Sequence, residues 1–313
     1  MCRRDLERVR LPPALALILA LTSVSAAALP ACGSKGASVD GAIDAGGGDH
    51  TAVDLGPVHS SCPTSLAGPA LVRVGWSGGV AFCIDSTEVT NASYQAFLTA
   101  AATTPPRQAT RCAWNTSFAP MTTGAGCPTF DPVGRANYPV VCVDWCDADA
   151  YCRSVGKYLC RAGSLDGNDP GPVTNPLAPG GSQWVIACSA DDTKRTYPYG
   201  ADAMPGVCVD KKYLSTTPGV QPVMSAAGCV GGVAGLYDMS GNASEWQNDC
   251  VEAVTSADGK EDECDAYGGA QSSDYADTTC TAAAAATDTA AHFTRAQFAS
   301  DNGFRCCADA EFF

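Results

Sequence analysis

The residues best equipped for chemistry in this chain are its thiols. Eighteen cysteines are spread over 313 residues, whereas histidine occurs only as His50, His59 and His292. Zinc and iron–sulfur sites draw on closely spaced C-x-x-C pairs, and the sequence contains none. The nearest neighbours are Cys142 with Cys146, and the adjacent Cys306 and Cys307. Cysteines in this number, without metal spacing, point to disulfides formed in an oxidising compartment. A bridge between adjacent cysteines is strained, so Cys306 and Cys307 are each expected to pair elsewhere. A Ser-His-Asp triad would have to use His292, beside an Ala-rich stretch, and that residue reads as a surface histidine. No phosphate-binding G-x-x-x-x-G-K loop occurs.

Oxygen ligands form the second candidate. In Asp238-x-x-Gly241-x-Ala243-x-Glu245, two carboxylates flank a glycine-containing turn. Such a turn can aim the Gly241 and Ala243 carbonyls at the same point as the carboxylates. Several oxygens from one short loop are what calcium demands. The other reading is a plain turn, with Asp238 as a cap and Glu245 bonded to backbone.

Three segments present these residues. Residues 1–31 carry a basic head (Arg3, Arg4, Arg8, Arg10) and then an apolar run that starts near Leu15. This is the layout of a secretory signal, and the run is too short to span a membrane. Leu29-Pro30-Ala31-Cys32 resembles the bacterial lipobox. That resemblance implies cleavage before Cys32, a diacylglycerol on its thiol and a membrane as partner. Gly33 follows, and in the bacterial sorting rule this implies the outer membrane. The alternative is an ordinary signal, with Cys32 in a disulfide. With Cys2 lost and Cys32 lipidated, sixteen cysteines remain, an even number. Residues 32–61 are rich in Gly, Ala, Ser and Asp and lack aromatic residues. They read as a flexible tether with a mean span of roughly 30 Å.

Residues 62–313 read as one loop-rich α+β domain. Thr90 is a plausible N-cap for a helix in which Tyr94, Phe97 and Leu98 share a face. Asp144 can cap a second helix running to Cys152, and Asp147 and Asp149 suit its positive end. Strands are expected at 70–74, 80–84 and 140–143. With 33 acidic and 19 basic residues, the chain repels phosphate backbones, which excludes nucleic acid as a partner.

Four blocks in this domain resemble the formylglycine-generating enzymes, or sulfatase-modifying factors. They are Phe82-Cys83-Ile84-Asp85-Ser86-Thr87-Glu88-Val89-Thr90-Asn91, Tyr138-Pro139-Val140-Val141-Cys142-Val143-Asp144-Trp145, Gly235-Leu236-Tyr237-Asp238-Met239-Ser240-Gly241-Asn242-Ala243-Ser244-Glu245-Trp246 and Gly303-Phe304-Arg305. The resemblance implies a compact, disulfide-stabilised fold related to C-type lectins. It also implies calcium at Asp238, Gly241, Ala243 and Glu245. The implied activity is a copper(I) oxidase that converts a substrate cysteine to formylglycine with two thiolates. In the family these thiolates follow a G-G-S motif. Here Gly268-Gly269-Ala270 stands in that place, and the two cysteine positions fall on Ser273 and Thr278. A hydroxyl does not replace a thiolate on copper(I). Cys280 is the one thiol nearby, a weak catalytic candidate that lacks a partner. The expectation is therefore a family member without copper that binds a protein, peptide or glycan outside the cytoplasm. The alternative is an active oxidase acting on exported sulfatases or other proteins.

Overall fold

Short strands tied by cysteines build this domain. The structure, a computed structural model, describes residues 60–75, 77, 81–122, 126–161, 182–213, 219–280 and 292–312. The expected signal, Cys32, His50 and His59 lie outside the described residues. One sheet joins β2 (Leu71–Val74), β3 (Phe82–Asp85), β9 (Cys306–Asp309) and β4 (Tyr158–Leu159) in that order, all antiparallel. The second sheet has the order β7 (His292–Thr294), β6 (Glu263–Tyr267), β5 (Ser244–Val251), β8 (Asn302–Gly303). Its β5–β8 pair is parallel. A third, two-stranded pairing joins β1 (Ser60–Ser61) to β10 (Glu311–Phe312), so the last two residues of the expected tether belong to a strand.

Local chemistry explains the helices. Thr90 accepts the Ser93 amide at 3.3 Å and starts α1 (Asn91–Ala101). Asp144 accepts the Asp147 amide at 2.9 Å, and Asp147 accepts back from the Asp144 amide at 3.4 Å. This capping box opens α2 (Trp145–Ser154). The two helices meet through Tyr94 stacked on Tyr151, ring centroids 5.7 Å apart, with Phe97 and Phe304 packed edge-on. A third helix, α3 (Gln183–Ser189), is buried along its whole length and carries Trp184 into a second apolar cluster with Ile84, Leu236 and Met239.

Residues 140–143 correct the expectation of a strand there. Cys142 adopts φ of 63° and bonds to Cys127, which breaks an extended run. The segment still delivers Val140 to the core, its amide bonded to the Val89 carbonyl at 2.9 Å.

All sixteen cysteines from Cys62 to Cys307 are paired. Cys306 bonds to Cys152 at the end of α2, and Cys307 bonds to Cys160 beside β4. The adjacent pair thus clamps β9 to two different elements. Alternating pleat directions on β9 send the two thiols to opposite faces.

Candidate functional site

The block from Asp238 to Glu245 folds as a tight turn leading into β5. Asp238 and Asn242 take left-handed φ values of 54° and 57°, and Gly241 has φ of 71°. A Cβ on Gly241 would stand 2.4 Å from the Val209 carbonyl oxygen, so only glycine lets the turn close on that strand-like neighbour. The Asn242 amide donates to the same oxygen at 2.8 Å.

The turn delivers Glu245 to a fully buried centre. Arg305, between β8 and β9, donates to Glu245 through Nε at 2.7 Å and Nη2 at 2.7 Å, one bond to each carboxylate oxygen. The Trp184 indole N–H donates to Glu245 Oε2 at 2.7 Å. Arg305 also donates to the Asp85 carbonyl at 3.0 Å, the Tyr237 carbonyl at 3.0 Å and the Asp238 carbonyl at 3.3 Å. Asp238 Oδ2 accepts the Met224 amide at 2.6 Å.

Three further carboxylates frame this pair. Glu88 is buried and accepts the Asn242 side-chain amide at 2.9 Å through Oε1, while Oε2 has no partner. Burial, with Asp238 and Glu245 nearby, pushes the Glu88 carboxyl well above its usual value. Burial likewise lifts Asp238 to about 6. Asp85 is lifted to about 6 by burial, against the pull of Lys157, whose ammonium lies 2.5 Å from Asp85 Oδ1. The centre therefore sets Glu88, Asp238 and Glu245 around one guanidinium, with the Asp85–Lys157 pair beside it.

The arrangement does not fit the calcium ion expected at Asp238, Gly241, Ala243 and Glu245. Both Glu245 oxygens are already engaged by Arg305 and Trp184.

The loop after β6 holds the positions that the resemblance assigns to copper. Ser273 Oγ accepts the Ala270 amide at 3.0 Å. Thr278 is buried, and its hydroxyl donates to the Tyr275 carbonyl at 3.0 Å. Both hydroxyls thus turn back on their own loop. Cys280 is bonded to Cys188, with an S–S distance of 2.02 Å, and so offers no thiolate in this state. The loop does not fit a two-thiolate copper(I) centre. Of the other candidates, Cys32 lies outside the described residues, and His292 lies on β7.

Residues 79–310 match the family described as Sulfatase-modifying factor enzyme 1-like domain. The chain belongs to that family. Three solved structures resemble this sulfatase-modifying factor domain over much of its length. CarF is 20% identical, covering 82% of this chain and 99% of that one, with a TM-score of 0.46. PvdO from Pseudomonas aeruginosa is 17% identical, covering 81% and 92%, with a TM-score of 0.47. Treponema denticola variable protein 1 is 16% identical, covering 80% and 99%, with a TM-score of 0.42. Serine/threonine-protein kinase Pkn1 of Chlamydia trachomatis serovar L2 is 30% identical over 117 residues, which is 37% of this chain but 14% of the kinase.

The partners of Glu245 carry no short-range signal in the sequence. Arg305 stood in a recognised block, Gly303-Phe304-Arg305, yet no spacing rule links it to a carboxylate 60 positions earlier. Glu88 and Trp184 were equally silent. A buried carboxylate needs a counter-charge, and that rule applied to Glu245 is the signal that could have pointed to Arg305.

Proposed function

We propose that this chain is an exported lipoprotein whose sulfatase-modifying factor domain recognises a protein, peptide or glycan and lacks the copper oxidase activity. The observation that carries the reading is the pairing of every cysteine from Cys62 to Cys307, Cys280 included. Copper(I) favours soft thiolates, and Ser273 and Thr278 bring only hydroxyls to the positions where the family has them. Eight disulfides suit an oxidising compartment. No described helix is long and apolar enough to cross a membrane. In this reading the anchor is the lipid on Cys32.

The test is a thiol count on the full-length protein purified without reductant, followed by copper(I) titration and incubation with C-x-P-x-R peptides. The expected result is no reactive thiol after Cys32, no stoichiometric copper and unchanged peptides. Conversion of a peptide cysteine to formylglycine would overturn the binding role. For the anchor, Cys32→Ser should abolish labelling by a fatty-acid probe and release the protein from the membrane fraction. Continued labelling of that variant would rule out Cys32.

A further inference from the structure

We propose that Arg305 is the resident cation of the Asp238–Glu245 centre, a built-in guanidinium that replaces calcium there. Five donor contacts support it. Nε and Nη2 span the two oxygens of Glu245, and the remaining contacts reach the carbonyls of Asp85, Tyr237 and Asp238. A carboxylate used through both oxygens plus backbone carbonyls is the hard-oxygen set that calcium also takes. The planar fork of arginine matches it, because its five N–H groups point outward in one plane and bind a carboxylate in pairs. Of the four residues expected to hold calcium, Glu245 therefore binds Arg305 through its carboxylate and Asp238 through its backbone carbonyl, while the Asp238 carboxylate accepts the Met224 amide.

Charge and access argue the same way. A divalent ion at Glu245 would sit against a guanidinium already within hydrogen-bond distance, and like charges repel strongly where water is excluded. Arg305 is 0% exposed, Glu245 1% and Asp238 2%, so a hydrated ion has no surface from which to reach these oxygens. Lys157 does not relieve the conflict, since it is committed to Asp85 in a pair of its own. Asn242 holds one oxygen of Glu88, so Glu88 could offer calcium at most its single unpartnered oxygen. The inference does not depend on whether the domain binds or oxidises.

Terbium stands in for calcium and emits when a nearby tryptophan passes it energy. Trp184 donates directly to Glu245, so an ion at this centre would be lit. In the full-length wild type we expect no sensitised terbium emission that calcium competes away, and no change of Tm between excess chelator and excess calcium. In Arg305→Ser, which frees the oxygen set, we expect a lower Tm and a rise in Tm on adding calcium. Calcium-competed emission in the wild type that disappears in Glu245→Gln would overturn the proposal. So would a folded Arg305→Ser variant with no calcium response, since the two cations would then not share one oxygen set. If Arg305→Ser does not fold, the wild-type emission with its Glu245→Gln control decides alone.

Discussion

Arg305 and Glu245 are both buried, so neither charge has water to fall back on. Attraction within such a pair is offset by the cost of drying both ions, but removing one partner leaves that cost uncompensated. Arg305→Leu should therefore cost about 3–5 kcal/mol, read from urea unfolding. The double variant Arg305→Leu with Glu245→Gln should recover part of that loss, and strict additivity would show that the two side chains act independently. Glu88 makes a second prediction. Its carboxyl is held above the usual 4.5 by burial and by Asp238. The folded state therefore keeps this proton after the unfolded chain has lost it. Its contribution to stability is complete below the unfolded value and drains away as pH rises toward the folded value, at about 1.4 kcal/mol per pH unit for one group. Glu88→Gln keeps an acceptor for Asn242 and removes the titration. Its stability relative to wild type should thus climb as pH rises above the usual 4.5 in denaturant melts. A flat difference would place the Glu88 carboxyl at its ordinary value. None of this was legible beforehand, because burial and the Arg305 contact arise only when β5, β8 and the Asp85 end of β3 converge. The turn itself was legible: carboxylates spaced around Gly241 announced a special backbone, though not which cation it serves.

The elements show what short-range rules capture. Thr90 and Asp144 start α1 and α2 as their side chains predict, since capping is settled within three residues. Asp144→Ala removes the acceptor for the Asp147 amide and the whole capping box. We expect a loss of about 1 kcal/mol in chemical unfolding, with Asp144→Ser losing less. Residues 71–74 and 82–85 formed strands close to where apolar runs placed them. The run at 140–143 did not, because its disulfide partner and the positive φ of Cys142 are set by chain 15 residues away. α3 escaped notice for another reason: buried on every side, it has no polar face and hence no period to read. Gly241 links this scale to the centre. Gly241→Ala would force a Cβ into the Val209 carbonyl, so the turn must open and carry Glu245 with it. We expect a Tm fall larger than that of Asp144→Ala, together with a blue-to-red shift of Trp184 fluorescence as its indole loses the carboxylate. An unchanged spectrum would mean that the turn shifts without moving Glu245.

At the scale of the whole molecule, covalent links stand in for extended secondary structure. The described strands are at most eight residues long, and two of the disulfides close loops of 154 and 147 residues. Loop closure of this size restricts the unfolded chain by roughly 4–5 kcal/mol per bridge on the entropy model. Those two bridges start on adjacent residues, Cys306 and Cys307, and fasten β9 to α2 and to Cys160 beside β4. Their loss should act on the whole fold, because β9 is the strand that joins β3 to β4 and leads directly from Arg305. By contrast, Cys250–Cys264 closes a loop of only 14 residues between strands already hydrogen-bonded. Cys152→Ala with Cys306→Ala should therefore lower the urea midpoint more than Cys250→Ala with Cys264→Ala, each measured on protein recovered from an oxidising compartment. This difference arises only if the long bridges constrain the unfolded chain. Equal midpoints for the two double variants would show that the unfolded state is already held compact by other means, and that the eight bridges contribute locally, not through loop closure.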